Sequence, residues 1–261
     1  MVANLWIYRH FILNSVVNEI RGRFARSKLG GMWLVIHPLM QVAIYALILS
    51  KLLAAKLPGV ESTYAYAVYL MAGMLGWTLF NELLNRGLNL FIENAGLIKK
   101  MNFPRVTLPA IATASSLVSG AMLLLAMLLL FPLLGFGFSL AMLWLIPLIA
   151  VVTAFGLALG LLLGVINVFL RDLGQATPVV LQVWFWFTPI VYPLDILPEA
   201  YRNVIRFNPM CSAVNGFQRV LVYGEPPEMI SLIYPAAFVA VLMPIAVLAF
   251  RRADEEMADL L

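Results

Sequence analysis

The sequence predicts an all-α integral membrane protein with six spanning helices. Three observations predict it: the composition, the lengths of the charge-free runs, and the placement of the basic residues. Hydrophobic residues make up 63% of the 261-residue chain and charged residues 11%, against roughly 45–50% and about 25% in soluble proteins. A soluble domain of this size cannot bury that much apolar surface, and disorder needs the opposite composition. The single cysteine, Cys211, excludes an intrachain disulfide and a paired-cysteine metal site.

A hydrocarbon layer about 30 Å thick takes roughly 20 helical residues to cross. Runs free of Asp, Glu, Lys and Arg cover 29–50, 62–81, 106–170, 173–194 and 229–250. The third is 65 residues long and divides at Phe131-Pro132 and Gly135-Phe136-Gly137, a cluster of chain breakers. Six spans result, with both termini on one side. That side receives twelve basic residues and the other five: Lys51, Lys56, Arg202, Arg206 and Arg219. The bias orients both termini to the cytoplasm, with Arg251-Arg252 closing the last span. The whole chain, 1–261, reads as one transmembrane domain.

Residues 1–30 lack the continuous apolar core of a cleaved signal, since Arg9, His10, Asn14, Asn18 and Glu19 interrupt it. Trp6, Leu13, Val17, Ile20 and Phe24 recur at helical spacing, with His10, Asn14, Asn18 and Arg21 on another face. An amphipathic helix lying in the cytoplasmic interface is expected. In the first span His37, Gln41 and Tyr45 share a face beside Pro38; they suit either interhelical hydrogen bonding or a hydrated lining. After the second span come Asn81, Asn85 and Asn89, with Glu82 and Arg86 at i,i+4, which read as a solvated helix end. On this count no carboxylate need lie inside the bilayer.

Gly156, Gly160 and Gly164 in the fourth span form a small-residue stripe for close helix packing. The fifth run holds four consecutive aromatics, Trp184 to Phe187, and then Tyr192. They suit an interfacial belt or, because four in a row encircle a helix, contact with sugar rings. The outer segment 193–228 is too polar to span. Two short helices are expected there, 198–206 and 211–223, separated by Asn208-Pro209. Its arginines serve as snorkelling anchors or as an anion site.

No phosphate-binding G-x-x-x-x-G-K-[ST] loop occurs, and no H-E-x-x-H or G-x-S-x-G. Ser119-Gly120 has no intramembrane histidine to activate it.

Three blocks carry a resemblance. The first is Arg21-Gly-Arg23-Phe-Ala-Arg26-Ser-Lys28-Leu-Gly30 with Trp33 and His37-Pro38 after it. The second is Gly96-Leu-Ile98-Lys99-Lys100-Met-Asn-Phe103-Pro104-Arg105. The third runs from Phe169-Leu-Arg171-Asp172 through Trp186-Phe-Thr188-Pro189-Ile-Val-Tyr192-Pro193 to Asn208-Pro209-Met210. In order along nearly the whole chain, they resemble the membrane subunit of ATP-binding-cassette exporters of bacterial surface polysaccharides, the branch handling O-antigen, capsule or teichoic acid.

The resemblance implies a permease in the bacterial inner membrane, paired with a second copy of itself and two ATPase subunits. The substrate would be an undecaprenyl-diphosphate-linked polysaccharide. ATP and Mg would be bound by the partner, so this chain carries no cofactor and no catalytic site. The outer segment would form re-entrant helices. Arg21, Arg23, Arg26 and Lys28 would meet the pyrophosphate or lipid headgroup. Ile98, Lys99, Lys100, Phe103 and Arg105 would contact the ATPase. His37, Gln41, Tyr45, Trp184, Phe185, Phe187 and Tyr192 would line the substrate path. Neither nucleic acid nor metal is expected as a partner. The alternatives are a polytopic acyl- or glycosyltransferase acting on a lipid-linked glycan, and a non-transporting scaffold.

Overall fold

The computed structural model describes residues 6–24, 27–29, 32–44, 64–100 and 106–260, with backbone alone at 23–24, 34–35, 38, 41–42, 99–100 and 253–260. The described residues are helical, without a strand. The α-helices are α1 (Arg9–Phe24), α2 (Trp33–Ile44), α3 (Ala65–Glu93), α4 (Ala95–Lys100), α5 (Thr107–Leu130), α6 (Leu145–Phe169), α7 (Leu173–Trp186), α8 (Glu199–Arg206), α9 (Pro209–Gln218) and α10 (Ile230–Leu260).

Four described helical stretches are long and apolar enough to span a membrane: Ala65–Glu93, Thr107–Leu130, Leu140–Phe169 and Ile230–Arg252. Their side-chain contacts give their directions. Phe80 stacks on Phe155, Gly87 abuts Gly160 and Gly164, and Asn167 reaches the Leu88 carbonyl, so α3 and α6 run parallel. Phe155 meets Phe238 and Phe91 stacks on Phe250, so α10 runs the same way. In α5, Gly120 lies beside Leu79 and Ser119 beside Glu82, which makes it antiparallel. α7 is also antiparallel, since Trp184 meets Phe80 and Phe155 while Gly174 is bonded to Asn167. Direction thus alternates through α3, α5, α6, α7 and α10. We call the end where α3 and α10 begin the upper end, and the opposite one the lower end.

α3 sits at the centre, with 78% of its apolar window buried, whereas the figure for α10 is 11%. α10 leaves Ile233, Val241, Ile245 and Leu248 exposed, a face suited to lipid. The close seam between α3 and α6 depends on missing side chains. A Cβ on Gly160 would stand 2.9 Å from the Leu83 and Leu84 carbonyl oxygens, and one on Gly164 2.2 Å from that of Gly87. The glycine stripe therefore packs helices within the subunit. The breaker cluster turns the chain as expected. Pro132–Leu134 forms a 3-10 turn closed by Gly135 at φ 78°, in the left-handed region.

Two span boundaries differ from the charge-free runs. α3 does not end near Asn81 but continues to Glu93, because its charges find partners inside the bundle. α7 does not run to 194: it is 14 residues long and stops at Trp186, about 21 Å of helix. Beyond it Thr188-Pro189 turns the chain, and Pro189 has no N–H to extend the ladder.

Candidate functional site

At the upper end, Asn208 joins α7 to α9. Its Oδ1 accepts from the Met210 backbone N–H at 2.9 Å and from the Trp184 ring N–H at 2.8 Å. Its Nδ2 donates to the Phe187 carbonyl and to the Thr188 hydroxyl. Both donor and both acceptor positions are used. Asn208 is also the N-cap of α9, with Pro209 in the first turn, a favoured helix start. α9 then runs beside the first three turns of α3, where the Phe217 ring fills the space a Cβ on Gly76 would need.

Between α8, α9 and the starts of α3 and α10 lies an open cavity of about 820 Å³. Its wall carries Asp195, Arg206, Arg219, Glu225 and Glu228, together with amides, hydroxyls and the rings of Phe207, Tyr223 and Tyr234. Arg219 is paired with Glu225 at 2.8 Å and with Glu228. Arg202 donates to the Asp195 and Leu197 carbonyls. These two arginines are tied within the outer segment. The cavity wall also holds Cys211, whose burial pushes its thiol up to about 11 against the pull of Arg206.

Nearer the lower end a second polar cluster binds three elements. Arg86 of α3 contacts Glu19 of α1 at 2.7 Å and Glu82 at 3.0 Å. Ser115 of α5 donates to Glu19 at 2.7 Å, and Ser119 to Glu82 at 3.4 Å. The solvated helix end expected at Asn81–Asn89 is thus a partly buried ion cluster inside a candidate span. A carboxylate does lie within that span, held by Arg86. Glu82 and Arg86 interrupt the apolar run in the sequence, but each finds its partner inside the bundle.

The sequence profile of the ABC-2 type transporter family matches residues 12–222. The chain belongs to this family. Over 99% of its length it is 28% identical to the O-antigen export system permease protein RfbA of Myxococcus xanthus, covering 98% of that protein. An RfbA of Klebsiella pneumoniae is 28% identical over 93% of the chain and 92% of its own length. The polysialic acid transport protein KpsM of Escherichia coli is 24% identical over 92% of each.

Within this ABC-2 transporter chain the residues named from sequence fall into three groups. Tyr45, Arg26, Phe103 and Arg105 lie outside the described residues, and the side chains of Arg23, Gln41, Lys99 and Lys100 are not described. Arg21, Lys28, His37 and Phe187 are exposed. The others are engaged inside the chain. Trp184 packs against Trp77, Phe80 and Phe155, and Phe185 against Trp77. The Tyr192 hydroxyl donates to the Trp186 carbonyl at 2.7 Å. Ile98 is buried in a lower cluster with Phe91, Leu108, Val165 and Phe250, which leaves Leu97 as the outward apolar residue of α4. The structure assembles neither the four basic residues nor the seven path residues into one described site. The wall of the upper cavity comes from residues 189–234, with Tyr69 of α3 added by folding; the unusual outer arginines were its one visible trace in the sequence.

Proposed function

We propose that the chain is the permease subunit of an exporter that moves lipid-linked polysaccharide across the bacterial inner membrane, with ATP hydrolysed by a partner chain. The end-to-end similarity to O-antigen export permeases carries this reading. The shape of α7 supports it. This helix leaves Gln175, Gln182 and Trp186 exposed beside Val179, Val180 and Val183, and glutamines on an outward face suit a hydrated path better than hydrocarbon. A second copy of the chain would close that path, bringing α2 and His37 opposite α7. α2 and α7 would complete six crossings, and α8 and α9 would be the re-entrant pair. The lower end, which receives most of the basic residues, would face the cytoplasm. There α1 would lie in the interface with Trp6, Leu13 and Val17 toward lipid, and α4 with Phe103 and Arg105 would meet the ATPase.

ATP binding would do work by favouring one of two permease states. The fixed cations Arg21, Arg23, Arg26 and Lys28 would receive the pyrophosphate. The test is co-purification with the ATPase of the same system, followed by ATP-dependent movement of glycolipid in vesicles. Replacing Lys99, Lys100 and Phe103 together should abolish both while the permease stays folded. Normal export by that variant would refute the coupling assignment, and no movement by the intact complex would refute export.

A further inference from the structure

We propose that the upper cavity is a binding site for uncharged sugar units of the exported glycan, a proposal that rests on the export reading above. The volume of about 820 Å³ falls within the roughly 300–1,000 Å³ of small-ligand sites. What decides the ligand class is the chemistry of the wall. Two arginines face three carboxylates there, and Arg219 is already held by Glu225 and Glu228. An anionic ligand would meet Arg206 alone, opposed by Asp195, so a phosphate or an acidic sugar gains no net attraction.

A neutral sugar fits this wall. Each of its hydroxyls both donates and accepts. The Asp195 carboxylate accepts, the Arg206 guanidinium donates, and the amides of Asn203 and Asn215 do both. Asp195 and Arg206 have no side-chain hydrogen bond to any described residue, so both are available. The Phe207 ring, 77% exposed, offers a flat apolar face of the kind that packs against the CH face of a pyranose.

Two buried atoms point the same way. Gln218 and Ser231 line the cavity and are each 1% exposed. The Gln218 Oε1 and the Ser231 Oγ have no partner. Buried polar atoms are nearly always paired, and a ligand hydroxyl would pair them. Tyr223 adds a donor that does not titrate away. Burial and the neighbouring Asp195 and Glu225 push its phenol up, against Arg219. All these contacts are individually modest, as a polymer that must move on requires.

The test uses the full permease with its ATPase in lipid nanodiscs and reads saturation-transfer NMR from ligands at millimolar concentration. The probes are the methyl glycosides of glucose, mannose, galactose and N-acetylglucosamine, with N-acetylneuraminic acid and inorganic phosphate for comparison. At least one neutral glycoside should receive saturation and the two anions should not. Asp195→Ala and Asn215→Ala should each weaken that signal roughly five- to tenfold. Phe207→Ala removes an exposed ring without opening the core and should weaken it similarly, which guards against misfolding of the other two. No transfer to any neutral glycoside, preferential binding of an anion, or signals unchanged in all three variants would overturn the proposal. Glycolipid movement by the same complex separates the two readings. Movement without glycoside binding overturns the sugar site alone, and glycoside binding without movement overturns export alone.

Discussion

Asn208 shows how much one side chain can hold at the upper end. Asn208→Ala removes the α9 cap, for which about 1 kcal/mol is typical, and strands the Trp184 ring N–H, at about 1–3 kcal/mol. The expected loss is about 2–4 kcal/mol, measured as a lowered thermal unfolding temperature of the purified permease, with the Trp184 fluorescence shifted. Asn208→Asp keeps the cap and the Trp184 acceptor but cannot donate to Phe187 and Thr188, so a smaller loss is expected. Cys211 gives a pH prediction. A thiol pushed up to about 11 is almost wholly protonated at neutral pH, and the thiolate is the reactive form. Labelling by a water-soluble maleimide should be very slow at pH 7 and rise about tenfold per pH unit on approaching the pKa. Rapid labelling at pH 7, read by intact-mass spectrometry, would contradict the burial of Cys211.

Among the elements, the α3–α6 seam is the least forgiving. Gly164→Ala puts a methyl group 2.2 Å from a backbone oxygen, and backbone cannot swing aside as a side chain can. The helices must separate, at about 1–3 kcal/mol or more. The same substitution at Gly96, where a Cβ meets nothing, should leave stability unchanged or raise it by up to about 1 kcal/mol. Melting temperatures of the two variants make the comparison. This seam was legible in the sequence because a repeat of small residues four apart reports contact directly. The α5–α6 turn was legible too, since proline and glycine act through their own backbone. Three features were not. The continuation of α3 was masked by Glu82 and Arg86, whose partners Ser119 and Glu19 are remote in sequence. The early stop of α7 depends on a turn locked by Asn208, twenty residues away from Thr188. The upper cavity is assembled only by folding. Local chemistry shows in a sequence; charge pairing across elements does not.

For the whole molecule, three parallel helices surround one seam, and the most polar of them lies innermost. α3 is the least apolar of the four candidate spans and carries Glu82, Arg86 and three asparagines. That placement bears on how the protein is made. A charged residue near the middle of a helix opposes insertion by about 2.5–3.5 kcal/mol, while each Leu, Ile, Phe or Val returns only about 0.3–0.6 kcal/mol. Emerging from the ribosome ahead of α5 and α6, α3 has neither Ser119 nor the glycine stripe to shelter it. Its insertion should therefore be incomplete until the α5–α6 hairpin arrives, so that assembly of the bundle is partly post-insertional. Reporter fusions test this. A fusion after Lys100 should report a mixture of orientations, and one after Leu170 a single orientation. Replacing Glu82 and Arg86 with leucine should make the short fusion uniform as well. A short fusion that is already uniform with the natural residues would mean that α3 enters the bilayer unaided.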